Sequence, residues 1–137
     1  MAQAEELHQI GDAAAAAGTT PRALRHYETL GLLSPSKVGP RGVRLYTAFD
    51  VKLARDIIQL GTIGFSLEEI HDIMALKRVV FSPEGKKRSF RKGDVPVASK
   101  AMARLRERTR SIRQTIKQQE ALLKRLEAFL EHCGAEE

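Results

Sequence analysis

The chain has 137 residues, 23 Lys/Arg against 17 Asp/Glu for a formal charge of +6, and one cysteine. That length supports one small domain with an appended helix rather than two full cores, and a single thiol excludes an internal disulfide framework. No apolar run reaches the roughly 18 residues of a membrane span and no signal-peptide pattern opens the chain, so a cytoplasmic protein with no membrane partner is expected.

In chain order, Ile10 to Ala17 form a first helix whose alanine run has high propensity but a thin apolar face. Gly18 suits a sharp turn, Thr20 is an N-cap, and Pro21 occupies the first helical position, where its missing N–H costs nothing. Ala23, Leu24 and Tyr27 share one face of the helix that follows, with Arg22, Arg25 and His26 beside it, and Gly31 ends it. Two short helices joined this way are a helix-turn-helix, whose second helix enters the major groove of DNA. Residues 37–46, Lys-Val-Gly-Pro-Arg-Gly-Val-Arg-Leu-Tyr, read as a β-hairpin wing with Lys37, Arg41 and Arg44 free to face a partner.

Thr47-Ala48-Phe49-Asp50 resembles a capping box with a shortened acid, and Val51, Leu53, Ala54, Ile57, Ile58 and Leu60 give the next helix a buried face. Ser66-Leu67-Glu68-Glu69 is a full capping box, followed by Ile70, Ile73, Met74 and Leu76. Residues 77–98 alternate basic clusters with Pro83, Gly85, Gly93 and Pro96, which predicts a basic connector. From Ser99 to Cys133, apolar and small polar residues recur in steps of three and four, including Leu105, Ile112, Ile116, Leu123, Leu126 and Leu130. That heptad seam predicts a coiled-coil helix about 50 Å long, which must bury its seam against a partner, most simply a second copy. The expected organisation is mainly α: a winged helix-turn-helix domain over 8–76, a basic connector over 77–98, a dimerisation helix over 99–133 and a tail over 134–137.

Three stretches, Arg-Ala-Leu-Arg-His-Tyr-Glu-Thr-Leu-Gly-Leu-Leu at 22–33, Arg-Leu-Tyr at 44–46 and Gly-Phe-Ser-Leu-Glu-Glu-Ile at 64–70, stand in order from about Ile10 to Met74. Together they resemble the mercury-resistance regulator (MerR) family of bacterial transcription factors. The resemblance implies a homodimer joined by antiparallel helices and bound to a pseudo-palindromic promoter in double-stranded DNA, which it distorts with RNA polymerase as a further partner. With only Gly134-Ala135-Glu136-Glu137 after the seam, a small member of the family without an appended effector domain is expected. The chain departs from the family pattern at His26, where Tyr is more usual, at Val43, where an aromatic is common, and at Ala13, near which a Leu is usual.

The expected DNA-binding set is Thr20, Arg22, Arg25, His26, Tyr27, Lys37, Arg41, Arg44 and Tyr46. Arginine offers a forked donor set for phosphate or guanine, and a Tyr hydroxyl can reach a phosphate oxygen. The plainer alternative is a solvated face with a core tyrosine, and Tyr46 either braces the wing or touches a phosphate. Charge supports a polyanion partner: residues 1–76 hold seven Lys/Arg against nine Asp/Glu, residues 77–113 thirteen against three, and residues 114–137 three against five. Within the connector, Lys86, Lys87, Arg88, Arg91 and Lys92 are either phosphate contacts or a solvated linker.

Cys133 sits on the apolar seam and reads as packing, with intermolecular oxidation or redox sensing as the alternative. Soft-metal sites need two or more thiolates, so no metal and no cofactor is expected. No nucleophile–base set or phosphate-cradling glycine loop suggests catalysis, so the chain reads as a non-enzyme. The expected function is a sequence-specific dimeric regulator. An architectural DNA-bending protein, a ligand-independent repressor and a coiled-coil adaptor for an acidic partner are the alternatives.

Overall fold

A computed structural model describes residues 7–35, 37–82, 85–89 and 95–135. Two compact units are present, Met1–Ala101 and Met102–Glu137. The first contains α1 (Ile10–Ala17), α2 (Pro21–Thr29), strands β1 (Lys37–Val38) and β2 (Arg44–Leu45), α3 (Ala48–Thr62) and α4 (Leu67–Val80). Helix α5 (Val95–Ala135) begins within it, and from Met102 onward α5 constitutes the second unit.

Local chemistry sets each boundary. At the end of α1, Gly18 adopts φ 78°, its N–H reaches the Ala15 carbonyl, and the Thr19 N–H reaches Ala14. This paired closure needs a residue tolerant of the left-handed region. Thr20 Oγ1 accepts from the Ala23 N–H at 3.1 Å and Pro21 opens α2. Gly31, at φ 74°, closes α2 in the same way, with the Leu32 N–H donating to Tyr27. Thr47 and Asp50 form a complete capping box despite the short acid, with reciprocal bonds of 2.9 and 3.0 Å. Ser66 and Glu69 form a second.

One core serves the first unit. Leu24, Leu32, Leu33, Val51, Leu53, Ala54, Ile57, Ile70 and Met74 are buried together with Ala13, Ala14 and Ala17. Full burial of a leucine stabilises by about 1.5–3 kcal/mol, so Leu24, Leu32 and Leu33 anchor α2 while leaving its opposite face polar. The thin alanine face of α1 packs against α2 and α3, and Arg55 of α3 donates from Nε and Nη2 to the Ala16 carbonyl at 3.0 and 2.7 Å. Arg78 of α4 likewise donates to the Gly31 carbonyl at 3.2 Å, tying α4 to the end of α2.

The segment after α4 differs from the irregular basic connector expected. Phe81 and Lys87 form an antiparallel bridge, and the Ser82 N–H donates to Lys86 at 2.7 Å. Phe81 meets Phe49 of α3 with ring centroids 5.9 Å apart. Gly85, at φ 83°, lies so close to Phe49 that a Cβ there would sit 3.0 Å from the ring. The reason is apolar: Phe81 docks on α3 and carries the basic residues into a defined turn. Arg91 and Lys92 lie outside the described residues.

Candidate nucleic-acid interface

Helix α2 and the wing, linked through Glu28, expose a shared set of cations. Arg22, Arg25 and His26 are exposed on α2, on the side away from Leu24. The wing pairs Lys37 with Leu45 and Val38 with Arg44, antiparallel. Its tip is a 3-10 turn over Pro40–Gly42, in which Arg41 takes φ 62° and Gly42 φ 72°. A non-glycine residue in this region is strained by about 1–2 kcal/mol. Arg41 is exposed at this tip, and Lys37 and Arg44 on the two strands are exposed as well.

Two carboxylate contacts lock helix and wing together. Glu28 of α2 pairs with Arg44 of β2, and the Tyr46 hydroxyl donates to the Glu28 carboxylate. The Glu28 side chain is 7% exposed and that of Arg44 58%, so one charge is largely removed from water while the other stays available to a further anion. Tyr46 is 1% exposed. Burial pushes its hydroxyl above the ordinary tyrosine pKa, with Asp50 acting in the same direction and Arg44 and Arg25 against it. It therefore remains a donor at neutral pH. Its backbone also exchanges two hydrogen bonds with His8, at 2.7 and 2.8 Å, which fastens the segment before α1 to the wing.

Of the two roles open to Tyr46, this geometry is that of a brace, since the ring and hydroxyl are enclosed rather than on the surface where a phosphate would lie. Tyr27 is half-buried against the core, and Thr20 uses its side-chain oxygen as the cap of α2. Sequence reasoning missed Glu28. The available signal was a lone acid in a basic helix, six residues after Arg22 and sixteen before Arg44.

The connector residues divide. Lys86 and Lys87 are exposed. Arg88 is committed: its Nε donates to the Val79 carbonyl at 3.0 Å and its Nη2 donates to that of Arg78. It thus satisfies carbonyls that the end of α4 leaves open, a favourable place for a cation. To the two readings of Arg88, phosphate contact or solvated linker, the geometry adds a third role, an exposed side chain tied to the end of α4.

On α5, Ile116, Leu123, Leu126 and Leu130 are exposed, Leu105 is half-buried and Ile112 is buried. Leu122 and Phe129, absent from the expected seam, are exposed at 61% and 60% and widen the apolar face. Cys133 is an exposed free thiol. Among the described residues, no three His, Cys, Asp or Glu side chains gather as metal ligands would, and no helix is long and apolar enough to cross a membrane.

Residues 9–77 match the profile of the MerR HTH family of regulatory proteins. The chain is 36% identical over 69 residues to the HTH-type transcriptional regulator HmrR of Sinorhizobium medicae, covering 50% of this chain and 47% of that protein. It is 41% identical over 66 residues to the nodulation protein NolA of a Bradyrhizobium strain, covering 48% of this chain and 28% of that one. The chain thus spans half or less of the length of these relatives. Two solved structures share the fold. A MerR family regulator, HiNmlR, lacking the sensor domain and bound to promoter DNA, superimposes with a TM-score of 0.69 at 20% identity, over 91% of this chain and 88% of that one. A MerR family regulator from Listeria monocytogenes gives 0.66 at 24% identity, over 88% and 80%.

Proposed function

The chain belongs to the MerR HTH family of regulatory proteins, and from that premise we propose that it is a sequence-specific, dimeric, DNA-binding transcriptional regulator of the cytoplasm and not an enzyme. The observation that carries this reading is the convergence of Arg22, Arg25 and His26 on α2 with Lys37, Arg41 and Arg44 on the wing, all exposed on elements locked to each other.

Helix α2 enters the major groove, where Arg22 and Arg25 supply forked donors for guanine edges or phosphates and His26 a further contact. The wing lies along the flanking backbone, with Arg41 at its tip and Arg44 held by Glu28 while donating outward. Thr20 and Tyr27 complete the proposed contact set of α2, and Lys86 and Lys87 neutralise phosphates without reading sequence. Arg91 and Lys92, in the same basic segment, belong to this proposed phosphate set by charge alone.

Two copies joined through α5 place two α2 helices on the two halves of a pseudo-palindrome. Charge along α5 supports antiparallel pairing. Residues 100–117 hold seven Lys/Arg against one Asp/Glu, and residues 118–135 two against three, so turning one helix end for end sets the basic half beside the mildly acidic one. Bending or untwisting the promoter between the half-sites is offset by the added phosphate contacts, and RNA polymerase then reads the altered spacing.

Selection of bound duplexes from a random pool tests this reading. A two-fold symmetric consensus is expected, whereas binding without enrichment of any sequence would indicate an architectural protein, and no binding an adaptor.

A further inference from the structure

Helix α5 carries a charge pattern that specifies its own partner. In the heptad frame that puts Met102 at a and Leu105 at d, the e positions are Arg106, Arg113, Glu120 and Glu127. All four are exposed, and none makes an intrachain ion pair among the described residues. The g positions on the other flank are Arg108, Thr115, Leu122 and Phe129.

The e series reads plus, plus, minus, minus. Reversed end for end, it is its own complement. If two copies of α5 run antiparallel with Met102 opposite the partner's Cys133, every a position from 102 to 130 meets a d position of the other copy. Ile116 then faces the partner's Gln119, and Leu123 lies over the partner's Ile112, which its own chain already buries. In that register e lies beside e. Arg106 stands by the partner's Glu127 and Arg113 by the partner's Glu120, and two-fold symmetry repeats both pairs. The g flank brings Leu122 to the partner's Thr115 and Phe129 to the partner's Arg108, which extends the apolar contact beyond the seam.

A parallel pair is penalised by the same residues. There each g position lies beside the following e position, so Arg108 would meet the partner's Arg113 and Leu122 the partner's Glu127. Like charges at flanking positions oppose association, and flanking charges are what set orientation and partner choice in coiled coils.

We propose that Arg106, Arg113, Glu120 and Glu127 form a recognition code selecting a second copy of this chain, antiparallel, in the register that joins Met102 to the partner's Cys133. The proposal rests on the dimer reading above and goes further by naming the residues that choose orientation and partner. A helix with a different e series meets this seam with mismatched charges, so the code also keeps related coiled coils from mixing with it.

The test is a charge swap in the full chain, read by sedimentation. R106E/R113E makes all four e positions acidic and E120R/E127R makes all four basic. Each variant alone should dimerise more weakly, by roughly tenfold to a hundredfold in Kd. An equimolar mixture should form a heterodimer as tight as the original, and the quadruple swap should restore the homodimer, which guards against a mere folding defect. Orientation is read separately by mild oxidation. Two antiparallel Cys133 thiols lie 31 residues apart along the helix, about 46 Å, so the unaltered protein should not cross-link, whereas M102C should form a disulfide-linked dimer. Swapped variants that dimerise like the parent, a mixture that fails to pair, or rapid linkage of Cys133 to the partner's Cys133 would overturn the code while leaving a dimer. An unaltered protein that sediments as a monomer at micromolar concentration would remove the dimer reading itself, and the code with it.

Discussion

Glu28 on α2 and Arg44 on β2 form an ion pair that joins the helix to the wing, and the buried Tyr46 hydroxyl donates to the same carboxylate. The exposed partner is the one proposed to meet DNA, so Glu28 controls how much of the Arg44 charge a phosphate experiences. Glu28→Gln keeps an acceptor for Tyr46 and releases Arg44. Affinity for random duplexes should then rise, with a steeper dependence of log K on log salt, while discrimination between cognate and random DNA falls. Glu28→Ala instead leaves the Tyr46 hydroxyl unpaired and should lower stability by about 1–3 kcal/mol. Denaturant unfolding together with salt-dependent anisotropy separates the two effects. An unchanged salt slope in Glu28→Gln would mean that Arg44 does not face phosphate.

Arg41 holds a left-handed backbone conformation at the wing tip. Glycine adopts that conformation without steric penalty but loses more freedom on folding. Arg41→Gly should therefore leave stability within about 1 kcal/mol of the parent, on the favourable side, while removing a proposed phosphate contact. Weaker DNA binding in a protein that unfolds no earlier is the expected outcome. Equal affinity would make the strained tip a purely structural feature.

Arg88 and the adjacent lysines should separate cleanly. Arg88→Ala uncovers carbonyls at the end of α4 and should destabilise by about 1–2 kcal/mol with little change in salt slope. Lys86→Gln with Lys87→Gln should do the reverse, making the slope shallower by up to about 0.9 for each phosphate that is no longer neutralised. Thermal unfolding and salt titration of both proteins check this, and a salt slope that follows Arg88 instead would reassign the phosphate contacts.

Features governed by neighbours in the chain were legible in the sequence. Gly18, Thr20, Pro21 and Gly31 bound the two short helices because caps and left-handed closures depend on residues a few positions apart. The Ser66–Glu69 box and the hairpin at Pro40–Gly42 are local in the same sense. The pairing of Glu28 with Arg44 was not legible, since it needs the wing folded back onto α2. Nor was the commitment of Arg88 to α4, because a basic run interrupted by Pro83 and Gly85 has the composition of a linker. The docking of Phe81 on Phe49 and the bridge from Phe81 to Lys87 give residues 85–88 a defined place. Leu122 and Phe129 escaped because a strict a/d seam is narrower than the apolar face that α5 presents.

Sequence-specific reading by α2 is the central claim, and the affinity ratio between a selected duplex and its scrambled counterpart, measured at fixed salt for the parent and for Arg25→Ala, tests it most directly. The parent should prefer the selected duplex by at least about a thousandfold. Arg25→Ala should lose about 1–3 kcal/mol on that duplex and much less on the scrambled one, with thermal stability unchanged. A parent that binds both duplexes equally, or an Arg25→Ala protein that keeps the full ratio, would contradict the claim that this helix reads DNA sequence.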